Sequence, residues 1–177
     1  MSDPLRFGVI GLGVGMSRAK MVMEAEEAEL VAVSDLIEER RRRAAESFGC
    51  DTYENYHEML ERDDIDVVMV MTPSGLHGKI GMDVAKAGKH VITTKPMDVT
   101  LEACDALIET CEKEGVKLMV DFGERYSGWN RKIKKAIEVG AIGDPILIEV
   151  RMKWWRSEEY YEGWHGTWEP VSYTHLR

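Results

Sequence analysis

Gly11-Leu12-Gly13-Val14-Gly15-Met16 is the stretch of this chain best suited to chemistry. Gly11 permits a tight turn, and Gly13 removes a side chain where backbone would have to approach a diphosphate. A helix starting directly afterwards would point its free N–H groups at that anion. Val14, Gly15 and Met16 complete the cradle. Met16 stands where a third glycine would pack helix on strand, so the packing there is expected to differ, with Gly15 adding freedom beside it. Such a glycine pattern carries weight only between a strand and a helix. Here it follows the apolar run Leu5–Ile10 and precedes the helical segment Ser17–Glu26. Asp35 ends the next apolar run, where a carboxylate can accept both hydroxyls of an adenosine ribose and repel a 2′-phosphate. That favours NAD over NADP. The basic run Arg40 to Arg43 keeps NADP open, although such runs are more often solvated helix faces. Asp35 could also cap a helix beginning at Leu36, and the two roles are compatible.

The elements that must position these residues alternate along the chain. Leu5–Ile10 and Val67–Met71 are almost continuously apolar, as strands covered on both faces are. Leu30–Ser34, His90–Thr93 and Lys117–Val120 read as further strands, and Leu36–Ser47, His77–Ala87 and Leu101–Glu114 as helices between them. This alternation predicts an α/β fold, a doubly wound parallel sheet of the Rossmann type, over residues 4–122.

After Phe122 the pattern changes. Trp129–Val139 reads as a helix closed by Gly140. Ile146–Trp154 then alternates strictly, with Ile148, Val150, Met152 and Trp154 on one face. That predicts a half-exposed strand of an antiparallel sheet and the start of an α+β second domain over residues 123–170, too short to close a sheet. Trp154, Trp155, Trp164 and Trp168 make this stretch rich in aromatic surface, which predicts self-association. Residues 171–177 read as a non-native tail, so His175 is set aside.

The whole sequence sets outer bounds. Its 177 residues allow one full domain and little more; 44% are hydrophobic and 31% charged. A net charge of −9 argues against nucleic acid and anionic membranes as partners. Cys50, Cys104 and Cys111 form no metal-binding spacing, so no metal is expected, and they read as core thiols of a reducing compartment. No signal peptide and no membrane-spanning run is visible, which makes the cytoplasm the default location.

Several short motifs then line up in order. Thr72-Pro73-Ser74 with His77 resembles a TPxxxH loop, and Thr94-Lys95-Pro96 an EKP motif. Glu124-Arg125-Tyr126 resembles an arginine-aromatic entry into a second domain, and Gly140-Ala141-Ile142-Gly143 a G-x-x-G turn. Arg156–Tyr161 and Trp164-His165-Gly166-Thr167-Trp168 resemble Rs-x-x-YY and WRGTW segments. Together they resemble the glucose–fructose oxidoreductase / inositol dehydrogenase (Gfo/Idh/MocA) family over residues 4 to about 169.

The resemblance implies an NAD(P)-dependent dehydrogenase that moves hydride between nicotinamide and a secondary alcohol of a sugar, sugar nucleotide or cyclitol. It implies that Lys95 contacts the reacting alcohol, that Thr72, Pro73, Ser74, His77 and Pro96 line the cofactor, and that the parent protein is a homo-oligomer. Pro96 fixes the backbone after Lys95, and a cis bond there would turn the ammonium into the cleft. His77 could instead simply bond a loop carbonyl. Arg125, Tyr126 and His165 are candidate substrate contacts from the domain junction. Two positions depart from the motifs: Thr94 replaces a glutamate and His165 an arginine. The glycine-rich segment with the acid/base histidine is absent, so this chain is expected to be inactive by itself. The competing readings are a non-catalytic dinucleotide-binding or sensor module and an enzyme that recycles a tightly held NAD.

Overall fold

The computed structural model describes residues 3–162. Six parallel strands, β1 (Leu5–Ile10), β2 (Ala28–Ser34), β3 (Asp51–Tyr53), β4 (Val67–Val70), β5 (His90–Thr94) and β6 (Leu118–Asp121), lie in the order β3-β2-β1-β4-β5-β6. Parallel neighbours cannot be joined by tight turns, so helices carry the chain back between them. These are α1 (Gly15–Met23), α2 (Glu38–Phe48), α3 (Tyr56–Leu60), α4 (His77–Lys86) and α5 (Leu101–Lys113). The strand order reverses between β1 and β4, the place where open sheets of this kind hold ligands.

The sheet separates two apolar layers. Alternate side chains of the strands point to opposite faces. Val9, Val33, Met69 and Met71 pack with Leu12, Ala19, Val22 and Ala44 on the face covered by α1 and α2. Ile10, Ala32, Val68, Val70 and Val91 pack with Met59, Ile80, Val84 and Leu107 on the other. All four residues of β4 are buried, which explains its uninterrupted apolar sequence.

Local chemistry sets the element boundaries. The helix expected at Leu36 starts at Glu38, because the Asp35 carboxylate (Oδ1) accepts the Ile37 N–H at 2.8 Å and holds the chain extended before the first turn. Gly49 closes that helix in the left-handed region at φ 66°. Thr100 caps α5 by accepting the Ala103 N–H at 3.1 Å. The helix expected at Ser17 begins two residues earlier, at Gly15. The edge strand β3 was not foreseen, since its three residues, Asp51, Thr52 and Tyr53, are polar and carry no apolar run.

Past β6, a helical turn (Gly123–Tyr126) leads into α6 (Gly128–Glu138). The alternating stretch Ile146–Trp154 does not form the expected strand. Ile148, Val150, Met152 and Trp154 are all more than two-thirds exposed, and no neighbouring strand lies beside them among the described residues. An extended segment needs a ladder partner for its N–H and C=O groups. A last short helix, α7 (Glu158–Glu162), follows. Among the described residues no helix is long and apolar enough to cross a membrane.

Candidate functional site

The glycine-rich turn sits at the C-terminal end of β1. Gly11 has φ +89°, and a Cβ there would lie 2.8 Å from the Met71 carbonyl oxygen, so both conformation and space demand glycine. Gly13 differs: a Cβ there would meet only the Arg40 guanidinium, at 3.9 Å, which leaves open space above the turn. Gly15 is buried as the first residue of α1, where a Cβ would come 3.0 Å from Val9 and 3.3 Å from Met71. It therefore supplies the close helix–strand contact. The packing does differ at Met16, which is half-buried against the α1-side core, but the looseness expected at Gly15 is corrected: the packing glycine stands one residue earlier. Val14 is 55% exposed and faces outward.

Asp35 is tied to this turn. Its Oδ2 accepts the Leu12 N–H at 2.6 Å, and the Arg40 guanidinium lies 3.3 Å from the same oxygen. The carboxylate is only 6% exposed. With the Ile37 N–H on Oδ1, it both shapes the glycine turn and caps the way into α2, and Oδ1 accepts no second hydrogen bond among the described residues. Arg41 turns away to the Asp35 carbonyl, and Arg42 pairs with Glu39 and Glu46 along the exposed helix face. Of the basic run, Arg40 reaches the site.

The loops after β4 and β5 are joined through one imidazole. His77 is 1% exposed, and its ring nitrogens face the carbonyl oxygens of Thr72 and Pro96 at 2.7 and 2.8 Å. With a carbonyl against each ring nitrogen, His77 bridges the two loops from behind. Asp98, which sequence reasoning missed, adds a second brace by accepting the Gly78 N–H at 2.7 Å near the start of α4. Its only signal is a lone acid two residues past a proline. The Lys95–Pro96 bond is cis. Lys95 is exposed and makes no hydrogen bond or ion pair among the described residues. The Thr72 hydroxyl is buried and likewise lacks a partner.

Arg18 and Asp121 were also missed. The Arg18 Nε lies 2.7 Å from Asp121 Oδ2, an ion pair between α1 and the end of β6. Arg125 stacks at 5.8 Å on Phe122, and Tyr126 is 65% exposed, both on the helical turn after β6. His90 accepts the Lys117 N–H at 3.1 Å, a structural contact. His165 and the tail 171–177 lie outside the described residues. Among the described residues no cluster of His, Cys, Asp and Glu could hold a metal.

A family profile described as "Oxidoreductase family, NAD-binding Rossmann fold" matches residues 5–122, from the first residue of β1 to just past β6. The chain belongs to the Gfo/Idh/MocA family. As a Gfo/Idh/MocA chain it is 35% identical over 148 residues to a myo-inositol 2-dehydrogenase of Thermotoga maritima, covering 82% of this chain and 44% of that protein. It is 34% identical over 152 residues to the scyllo-inositol 2-dehydrogenase (NAD(+)) of Bacillus subtilis, covering 84% and 44%. Among solved structures, the WlbA dehydrogenase of Bordetella pertussis, in complex with NADH and UDP-GlcNAcA, aligns with a TM-score of 0.88 at 32% identity. That alignment covers 96% of this chain and 52% of WlbA. Scyllo-inositol dehydrogenase of Lactobacillus casei, with bound NAD(H) and scyllo-inositol, aligns with a TM-score of 0.76 at 27% identity, covering 80% and 43%. This Gfo/Idh/MocA chain thus spans less than half the length of the curated relatives it matches.

Proposed function

We propose that this chain is the cofactor-binding part of an NAD-dependent dehydrogenase acting on a secondary alcohol of a sugar, sugar nucleotide or cyclitol. The observation that carries the reading is the order of groups along the C-terminal edge of the sheet. Asp35 follows β2, the glycine turn follows β1, Thr72 follows β4 and Lys95 follows β5. Neighbouring strands lie about 4.8 Å apart, so these groups span about 14 Å from β2 to β5. The residues fit a dinucleotide: Gly13 leaves room for a diphosphate, α1 points free N–H groups at it, and Asp35 keeps an acceptor for a ribose hydroxyl. The Thr72 hydroxyl, without a partner among the described residues, supplies a further polar contact.

When bound, the nicotinamide accepts or donates the hydride. The protein's part is to fix the reactants and to hold a proton. Lys95 carries the one ammonium at the end of β5, without a competing partner among the described residues, and is assigned to orient the alcohol and exchange its proton. His77 and Asp98 hold its loop in place. Arg125 and Tyr126 stand at the junction where substrate would enter, and the parent protein is assigned as a homo-oligomer. An alignment covering 96% of this chain is to an enzyme crystallised with a nucleotide sugar, against 80% for the one crystallised with scyllo-inositol, which favours a sugar nucleotide over a free cyclitol.

The test has two arms. Asp35→Ala should weaken NADH binding much more than NADPH binding, read by energy transfer from tryptophan; equal losses would remove the ribose assignment, because a disturbed turn harms both. Lys95→Ala in the longer parent should lower turnover by about 100-fold or more with NADH affinity nearly unchanged. Unaltered turnover would favour a non-catalytic dinucleotide-binding module.

A further inference from the structure

The Arg18–Asp121 ion pair joins residues 103 positions apart and lies beside the half of the sheet that the proposed function gives to nicotinamide. Thr94 and Asp121 are register partners at the ends of β5 and β6, and so are Ile92 and Met119. Ile92 packs into the core layer that contains α1, so Thr94 and Asp121, two residues further along each strand, face that same side. Lys95 follows Thr94 directly. Arg18 reaches this corner from the α1 side, beyond the first residues of the helix that would hold the diphosphate. The two side chains are 26% and 15% exposed, so the pair is partly shielded from solvent.

We propose that this pair balances charge beside the nicotinamide, so that neither oxidation state of the ring is favoured there. The inference rests on the dinucleotide reading above. An adenosine at Asp35 and a diphosphate at Gly13 direct the remaining half across β4 and β5, toward β6. The oxidised ring is a cation and the reduced ring is neutral, so a nearby charge acts on one form and hardly on the other. Arg18 and Asp121 are in contact, and their fields largely cancel at the ring. Removing either partner leaves a single charge of known sign a few residues from the reacting centre, where partial burial weakens screening. The pair acts on the cofactor by this balance of charge, without touching the reacting atoms.

Calorimetric titration of the 177-residue chain with NAD+, NADH and ADP-ribose tests this at low salt. Arg18→Met exposes a lone carboxylate and should lower the ratio Kd(NAD+)/Kd(NADH) by about five-fold. Asp121→Asn exposes a lone guanidinium and should raise it by about as much. The double variant should return the ratio to within about two-fold of the original, and ADP-ribose, which lacks the ring, should bind all forms alike. A purely structural pair would move both affinities together and leave the ratio still. Ratios that move in one direction for both single variants, or by less than about two-fold, overturn the inference while ADP-ribose binding keeps the dinucleotide reading intact. Failure of the unaltered chain to bind ADP-ribose overturns both. Should one single variant not fold, the other and the double variant decide.

Discussion

The glycines of the turn after β1 look alike in sequence and differ in what they do. At Gly11 the positive φ and the Met71 carbonyl leave no room for a side chain. Gly11→Ala costs about 1–2 kcal/mol in backbone strain, with the clash added, and should lower the melting temperature by several degrees. Gly13 has neither constraint. Gly13→Ala should leave the melting curve in place and weaken NADH binding, since the added methyl projects into the space of the proposed diphosphate site. Scanning calorimetry and NADH titration of the two variants would separate the roles. If Gly13→Ala binds NADH normally, the cradle does not hold a diphosphate.

Whether an element was legible depended on how much of it is buried. Strands β1 and β4 announce themselves through nearly continuous apolar runs, because the sheet is covered on both faces there. Edge strand β3 is short and polar, and only its pairing with β2 reveals it. The same applies to the site. Gly11, Gly13 and Asp35 follow from spacing along one βα unit, whereas Arg18 with Asp121 and His77 with Pro96 meet only after the chain has folded. The alternating stretch near Ile148 misled because period alone does not supply a hydrogen-bonded neighbour. Between elements, the Tyr56 hydroxyl of α3 donates to Asp83 of α4 at 2.8 Å. Burial first, and then Asp83, push this phenol up from 10.0 to about 12. A raised phenol contributes stability below its unfolded value and loses it as pH rises through the folded one. Tyr56→Phe should therefore cost about 1 kcal/mol near neutrality. The gap in denaturant midpoint should close between about pH 10 and about pH 12, and a gap unchanged at pH 12 would place the effect elsewhere.

At the scale of the whole molecule, packing is divided unevenly. The two core layers lie within the strands and helices up to β6. Beyond it, Trp129, Ile146, Leu147, Trp154 and Trp155 are each more than two-thirds exposed. Scattered apolar residues are ordinary on a surface, but a run of this size promotes association. A fragment of residues 3–122 should unfold cooperatively, bind NADH like the full chain, and bind less of an apolar dye. Light scattering should show the 177-residue chain associating more strongly than the fragment. A fragment that does not fold would mean that the later segments support the sheet.

With Asp35 in its proposed ribose role, its bond from the Leu12 N–H ties cofactor preference to turn geometry. An engineer who wished to admit a phosphorylated ribose by deleting that acid would also strip Leu12 and Ile37 of their acceptor and release Arg40. A retargeted version would need a small hydroxyl residue at the same place to keep those amides satisfied.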